Sequence, residues 1–130
     1  MSYSDRHIFS AKVDLSGTGD VAWFASINRI EIHRFFVSLI DATTGVGEVV
    51  VDKIDSAGSR GSADLATVTV DTGEAAGHVG YETPTTPKTL NPGEIAVFEV
   101  TDAADALAVV GFEYSINDIN LADVTNDEAE

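Results

Sequence analysis

The sequence predicts an all-β domain, an antiparallel two-sheet β-sandwich of jelly-roll-like or immunoglobulin-like topology with about seven or eight strands. Three observations carry this. Hydrophobic residues recur with a period of two along most of the chain, the spacing that sends alternate side chains to opposite faces of a strand. The runs that carry the alternation are rich in Val, Ile, Phe and Thr, whose branched or aromatic side chains suit a pleated sheet. Gly, Pro, Asn and Asp divide these runs at short intervals, and helical spacing is nearly absent.

Each element follows from its local pattern. In HIFSAKVDL, Phe9, Ala11, Val13 and Leu15 share one face, while Ser10, Lys12 and Asp14 share the other; the segment 16–20 then breaks the strand. A short strand spans 21–25. In RIEIHRFFVSLIDA, Ile30 and Ile32 lie on one face, but Phe35, Val37 and Leu39 take the opposite parity. A β-bulge near Arg34, or a passage of the strand from one packing environment to another, accounts for that switch. GEVVVDKID, a Gly- and Ser-rich turn over 56–62, and LATVTVDT form a strand, loop, strand unit, with Ala66, Val68 and Val70 on one face. Segment 73–92 contains Gly73, Gly77, Gly80, Pro84, Pro87 and Pro92 and reads as a long loop with one short strand at 79–83. Asn91-Pro92-Gly93-Glu94 suits a type II turn, Pro92 fixing φ and Gly93 accepting a positive one. The strand after it points Ala96, Phe98 and Val100 inward, and a turn over 102–105 leads to a last strand with Val110, Phe112, Tyr114 and Ile116 in register.

The predicted organisation is an N-terminal arm (1–9), a sandwich domain (10–117) and an acidic tail (118–130) that has five carboxylates and no basic residue. The whole chain has 130 residues, 22 Asp and Glu against 7 Lys and Arg, and a net charge of −15. Such a surface disfavours nucleic-acid binding, which draws on Lys and Arg to displace phosphate counterions, and equally disfavours an anionic membrane. With no Cys there is neither a disulfide framework nor a thiolate metal site. The N-terminus lacks the basic region and apolar run of a signal peptide, and no apolar stretch is long enough to span a bilayer, so a cytosolic product is expected.

No constellation announces catalysis. Gly-x-Ser-x-Gly does not occur, and the Gly-rich segments 17–19 and 58–61 are not followed by the helix that a phosphate cradle requires. Glu31 and His33 share a strand face, and a metal there would need further ligands such as His7 or His78; a solvated or hydrogen-bonded face is the reading taken. Asp52 with Asp55, and Asp102 with Asp105, offer hard oxygen ligands for calcium, but no Asp-x-Asp-x-Asp-Gly loop is present. The expectation is a non-enzymatic protein without cofactor. Candidate interface residues are Tyr3, Trp23, Phe24 and Tyr81, because aromatic side chains are enriched in interface cores. Arg34 and Arg60 join them as scarce cations that either pair within the chain or hold a neighbour's carboxylates.

The succession INRIEIHRFFVSLIDATTGVGEVVVDKIDSAG, LATVTVDT and LNPGEIAVFEVTDAADALAVVGFEYSI resembles small structural proteins of tailed bacteriophages. In these, an Arg-Ile type strand recurs, as does a Pro-Gly-Asp/Glu turn before a Val-x-Val-x-Val-Thr strand. The resemblance implies a jelly-roll-like sandwich that decorates or cements a head shell, or belongs to a fibre or tail. It further implies association with the major capsid protein at the capsid surface, often as a homotrimer, after synthesis in the host cytoplasm. A terminal arm reaching a neighbouring subunit is implied as well; here that arm would be residues 1–9, with Tyr3, Ile8 and Phe9 as contacts. The absence of heptads and repeats favours decoration over fibre. The alternative is a fibre- or tail-associated carbohydrate- or receptor-binding module using Trp23, Tyr81 and neighbouring acids, with or without calcium.

Overall fold

The computed structural model describes residues 6–117. Among these there is no helix, and nine strands are formed: β1 (His7–Asp14), β2 (Gly19–Ala25), β3 (Ile30–Leu39), β4 (Gly47–Ile54), β5 (Ala66–Val70), β6 (Val79–Glu82), β7 (Lys88–Leu90), β8 (Ile95–Asp102) and β9 (Leu107–Ile116). One sheet has the order β1-β9-β3-β6, with β7 also on β3; the other has the order β2-β8-β4-β5. All pairings are antiparallel.

β6 pairs with residues 35–38 of β3 and β7 with residues 30–32, so the two act as one edge strand interrupted at 83–87. Counted that way there are eight strands in two layers of four. Every consecutive pair except β4 and β5 changes sheet along the chain. That alternation is the jelly-roll arrangement; an immunoglobulin-type sheet would hold β1 beside β2.

The core follows from the alternation. Val13, Ile30, Ile32, Phe35, Val37, Val49, Val51, Val68, Phe98, Val100, Val110 and Phe112 project between the layers and are buried. Phe112 is the hub of the aromatic packing, with ring centroids 5.2 Å from Phe24, 5.4 Å from Phe9, 5.8 Å from Phe35 and 6.0 Å from Phe98. The bulge expected near Arg34 lies between Ile32 and Arg34 on the β9 side. The turn at 91–94 closes with the Glu94 N–H donating to the Asn91 carbonyl at 3.0 Å, and Gly93 has φ of 90°.

Two expectations change. β1 begins at His7, so Ile8 and Phe9 stand in the sheet, paired with Glu113 and Phe112, and not in an arm. Ile116 keeps the parity of the core residues of β9 yet is 41% exposed, because it lies at the strand's end opposite Ile30. Tyr3 and the tail 118–130 lie outside the described residues.

Candidate functional site

The outer face of the β1-β9-β3-β6 sheet gathers three of the candidate residues. Ile32 and Phe35 of β3 both point into the core with no exposure, so the two residues between them, His33 and Arg34, both turn outward. That is the local effect of the bulge, which re-aims side chains. Arg34 donates from an Nη to Glu113 at 2.6 Å, and its guanidinium carbon lies 4.4 Å from the centre of the Tyr81 ring. Arg6 approaches the same carboxylate at 3.5 Å. Ile8, opposite Glu113 on β1, completes the row. With Thr83, Pro84, Thr85 and Pro87, the groups Arg6, His33, Arg34 and Glu113 line a shallow cleft of about 380 Å³. Its ion pairs are partly exposed, so each contributes at most about 1 kcal/mol.

His33 Nε2 lies 2.8 Å from Ser115 Oγ. Burial pushes the imidazole below its ordinary pKa of 6.5, the positive charge of Arg6 adds to this, and Glu31 and Glu113 oppose it. A base depressed in the folded chain leaves the unfolded chain binding more protons below pH 6.5. Its contribution to stability is therefore present above that pH and lost as pH falls through the folded value. NMR titration should place the His33 midpoint below 6.5, and Arg6→Gln should move it upward; a midpoint that Arg6→Gln leaves in place contradicts the coupling.

Arg60 and Trp23 belong to the other sheet. The 55–64 loop folds back along β4, with an Ile54–Arg60 bridge, and lays Arg60 over the outer face of β2, β4 and β8. Its two Nη atoms grip Asp20 at 2.9 and 2.8 Å, Nε donates to Asp52 at 2.9 Å, and one Nη also reaches Glu99 at 3.2 Å. Hydrogen bonds to Asp20 and then Asp52 hold the guanidinium more firmly protonated than a free arginine. Trp23 lies on the same sheet opposite Val97, 56% exposed.

Phe24, next to Trp23 in β2, points the other way. It packs between the layers 5.0 Å from Phe9 and 5.6 Å from Tyr114. The two aromatic neighbours therefore do not form one patch, and Phe9 and Phe24 serve the rim of the core. Adjacent residues of a strand always diverge in this way, a signal present in the sequence.

Three of the four acids considered as calcium ligands, Asp52, Asp55 and Asp105, are otherwise engaged. Asp52 binds Arg60 and the Ala63 N–H. Asp55 accepts the N–H groups of Ala57 and Ser59, and Asp105 accepts from Ser16. Glu31 accepts from Asn117. Among the described residues no group of three or more His, Asp or Glu is gathered as a metal site.

The protein is thus a two-sheet jelly roll in which Arg6, Arg34, Lys53 and Arg60 are each ion-paired with carboxylates. No family model matches its sequence, and no curated relative does. Among solved structures it is similar to a chain of the acidic stable capsid structure of Helicobacter pylori bacteriophage KHP30, at 13% identity and a TM-score of 0.56, over 88% of this chain and 90% of that one. It is also similar to a CocE/NonD family hydrolase from Staphylococcus aureus, at 12% identity and a TM-score of 0.43, over 87% of this chain and 33% of the hydrolase. A third likeness is to infectious bursal disease virus, Gx strain, at 11% identity and a TM-score of 0.27, over 97% of this chain and 43% of that one. The first shows a shared fold; the other two carry no argument.

Proposed function

We propose that this chain is a non-enzymatic virion structural protein of a bacteriophage, a decoration or cement protein seated on the major capsid protein at the outer surface of the head. The observation that carries this reading is the match to a phage capsid chain over nearly the whole of both lengths. The two chains share a fold and are nearly equal in length. Charge favours the outside of a shell: at −15, the chain is repelled by packaged nucleic acid. A homotrimer bound through many weak contacts would gain avidity from simultaneous engagement.

Light scattering of the purified chain at low and high salt is expected to give a stable oligomer, the two conditions separating specific association from screening of the acidic surface. Sedimentation with heads of its own virus should then carry the chain into the pellet at a fixed ratio to the shell protein. A chain that remains in the supernatant overturns the proposal. The exposure of Trp23 favours a second reading, a carbohydrate- or receptor-binding module; glycan-array binding that Trp23→Ala abolishes would establish it instead.

A further inference from the structure

The two sheets have four lateral edges, and three carry features that discourage pairing with another chain. β2 is interrupted by a register shift between Asp20 and Ala22. β5 has only five residues. The β6 and β7 edge consists of four- and three-residue pieces separated by a segment holding Pro84 and Pro87. β1 differs. It has eight residues and no proline, and it pairs with β9 in one unbroken register from His7 opposite Tyr114 to Asp14 opposite Leu107. Among the described residues nothing pairs with its other side, and Ile8 on it is 64% exposed.

The charge of this edge also stands apart. Arg6 and Lys12 against the single Asp14 leave segment 6–14 at +1 with His7 neutral, on a chain of −15. Although Arg6 is also paired with Glu113, a second copy meets less repulsion here than over the strongly acidic remainder of the surface. The even-numbered residues of the segment, Arg6, Ile8, Ser10, Lys12 and Asp14, all face outward from the sheet, since Phe9, Ala11 and Val13 pack against the core.

We propose that β1 pairs antiparallel with β1 of a second copy of this chain about a two-fold axis at Ser10, joining the two β1-β9-β3-β6 sheets into one. This register sets Arg6 opposite Asp14 of the second copy at both ends and lays the Lys12 stem over the exposed Ile8. Opposite charges directly across a pair stabilise it and like charges oppose it. Moving the axis to Phe9 sets Arg6 against Lys12, and moving it to Ala11 sets Ile8 against Asp14; the pattern selects the register centred on Ser10. The contact is independent of any shell. Being two-fold, it doubles whatever cyclic oligomer the chain forms, to a dimer from single chains or a hexamer from trimers.

The absence of cysteine makes the test clean. Across the axis, the two Ser10 Cα atoms would stand about 4.5–5.5 Å apart, within disulfide reach, whereas the two Lys12 Cα atoms would be about 14 Å apart. Both positions are surface-facing, so neither substitution should disturb the fold, and thermal melting checks this. Under mild oxidation at high protein concentration, Ser10→Cys should become a disulfide-linked dimer at least about tenfold faster than Lys12→Cys. In the Ser10→Cys background, Arg6→Asp or Asp14→Arg alone should slow the cross-link several-fold, and the two together should restore it. Equal rates at positions 10 and 12, or no cross-link at 10, overturn the pairing; charge reversals without effect overturn the register. Because the assay uses the purified chain without heads, its failure leaves the virion reading intact, and failure to co-sediment leaves this pairing intact.

Discussion

Gly111→Ala is expected to cost about 3 kcal/mol of stability, at the upper end of what overpacking does, and to lower the melting temperature of this small domain by about 10 °C. Gly111 lies in β9, between Ser10 of β1 and Phe36 of β3. A Cβ there would overlap the carbonyl oxygen of Phe9 and stand 2.9 Å from Cζ of Phe36. The Phe36 ring can swing aside, but the carbonyl belongs to the backbone of β1 and can move only by loosening the β1–β9 ladder. Trimming the ring in a Gly111→Ala, Phe36→Leu double variant should therefore recover only part of the loss. Thermal unfolding followed by circular dichroism checks both variants. A Gly111→Ala protein that melts with the parent contradicts the close approach.

Arg60→Met is expected to cost about 2 kcal/mol. The Asp52 side chain is only 4% exposed, and without Arg60 its carboxylate retains the Ala63 N–H alone among these partners, beside two further uncompensated acids, Asp20 and Glu99. Breaking a fully buried pair costs about 3–5 kcal/mol; the figure is smaller here because Arg60 is 33% exposed and water can partly replace it. Arg60→Lys should rescue little, since one ammonium cannot grip Asp20 with two parallel bonds while serving Asp52. Removing both charges in Arg60→Met, Asp52→Leu should recover much of the loss. Denaturant titration measures all three.

The pH dependence of that difference has a definite sign. The hydrogen bond from Arg60 lowers the Asp20 pKa below its ordinary 3.8 against the opposing effect of burial, with the Arg60 charge a lesser cause. A carboxylate depressed in the folded state contributes stability above its unfolded value and loses it as pH falls through the folded one. The gap between parent and Arg60→Met should therefore be full at neutral pH and narrow below about pH 4.

Much of the fold could be read along the chain because a strand writes its two environments into alternate residues. The parity switch between Ile32 and Phe35 located the bulge, and Asn91 to Glu94 specified its turn. β7 escaped because three residues, Lys88 to Leu90, between Pro87 and Pro92 are too few to show a period. The sheet order escaped for a different reason: consecutive strands mostly lie in opposite sheets, so sequence neighbours are seldom pairing partners. The surface groupings were less legible. Arg60 meets Asp20 and Glu99, 40 and 39 residues away, and no local pattern specifies such a meeting. Ile8, Arg34 and Tyr81 were each singled out separately, and only the β1-β9-β3-β6 order brings them to one face.

The prolines and the break between β6 and β7 have a consequence for crowding. A molecule that offers a partner strand on both flanks of a sheet can add copies without end, the geometry from which cross-β fibres grow. Among the described residues this sheet ends in fragments on its far side and offers a full-length strand only at β1. Its valence for strand addition is one, so the first partner uses it up. At the high local density of a protein arrayed side by side, growth by that route terminates at two.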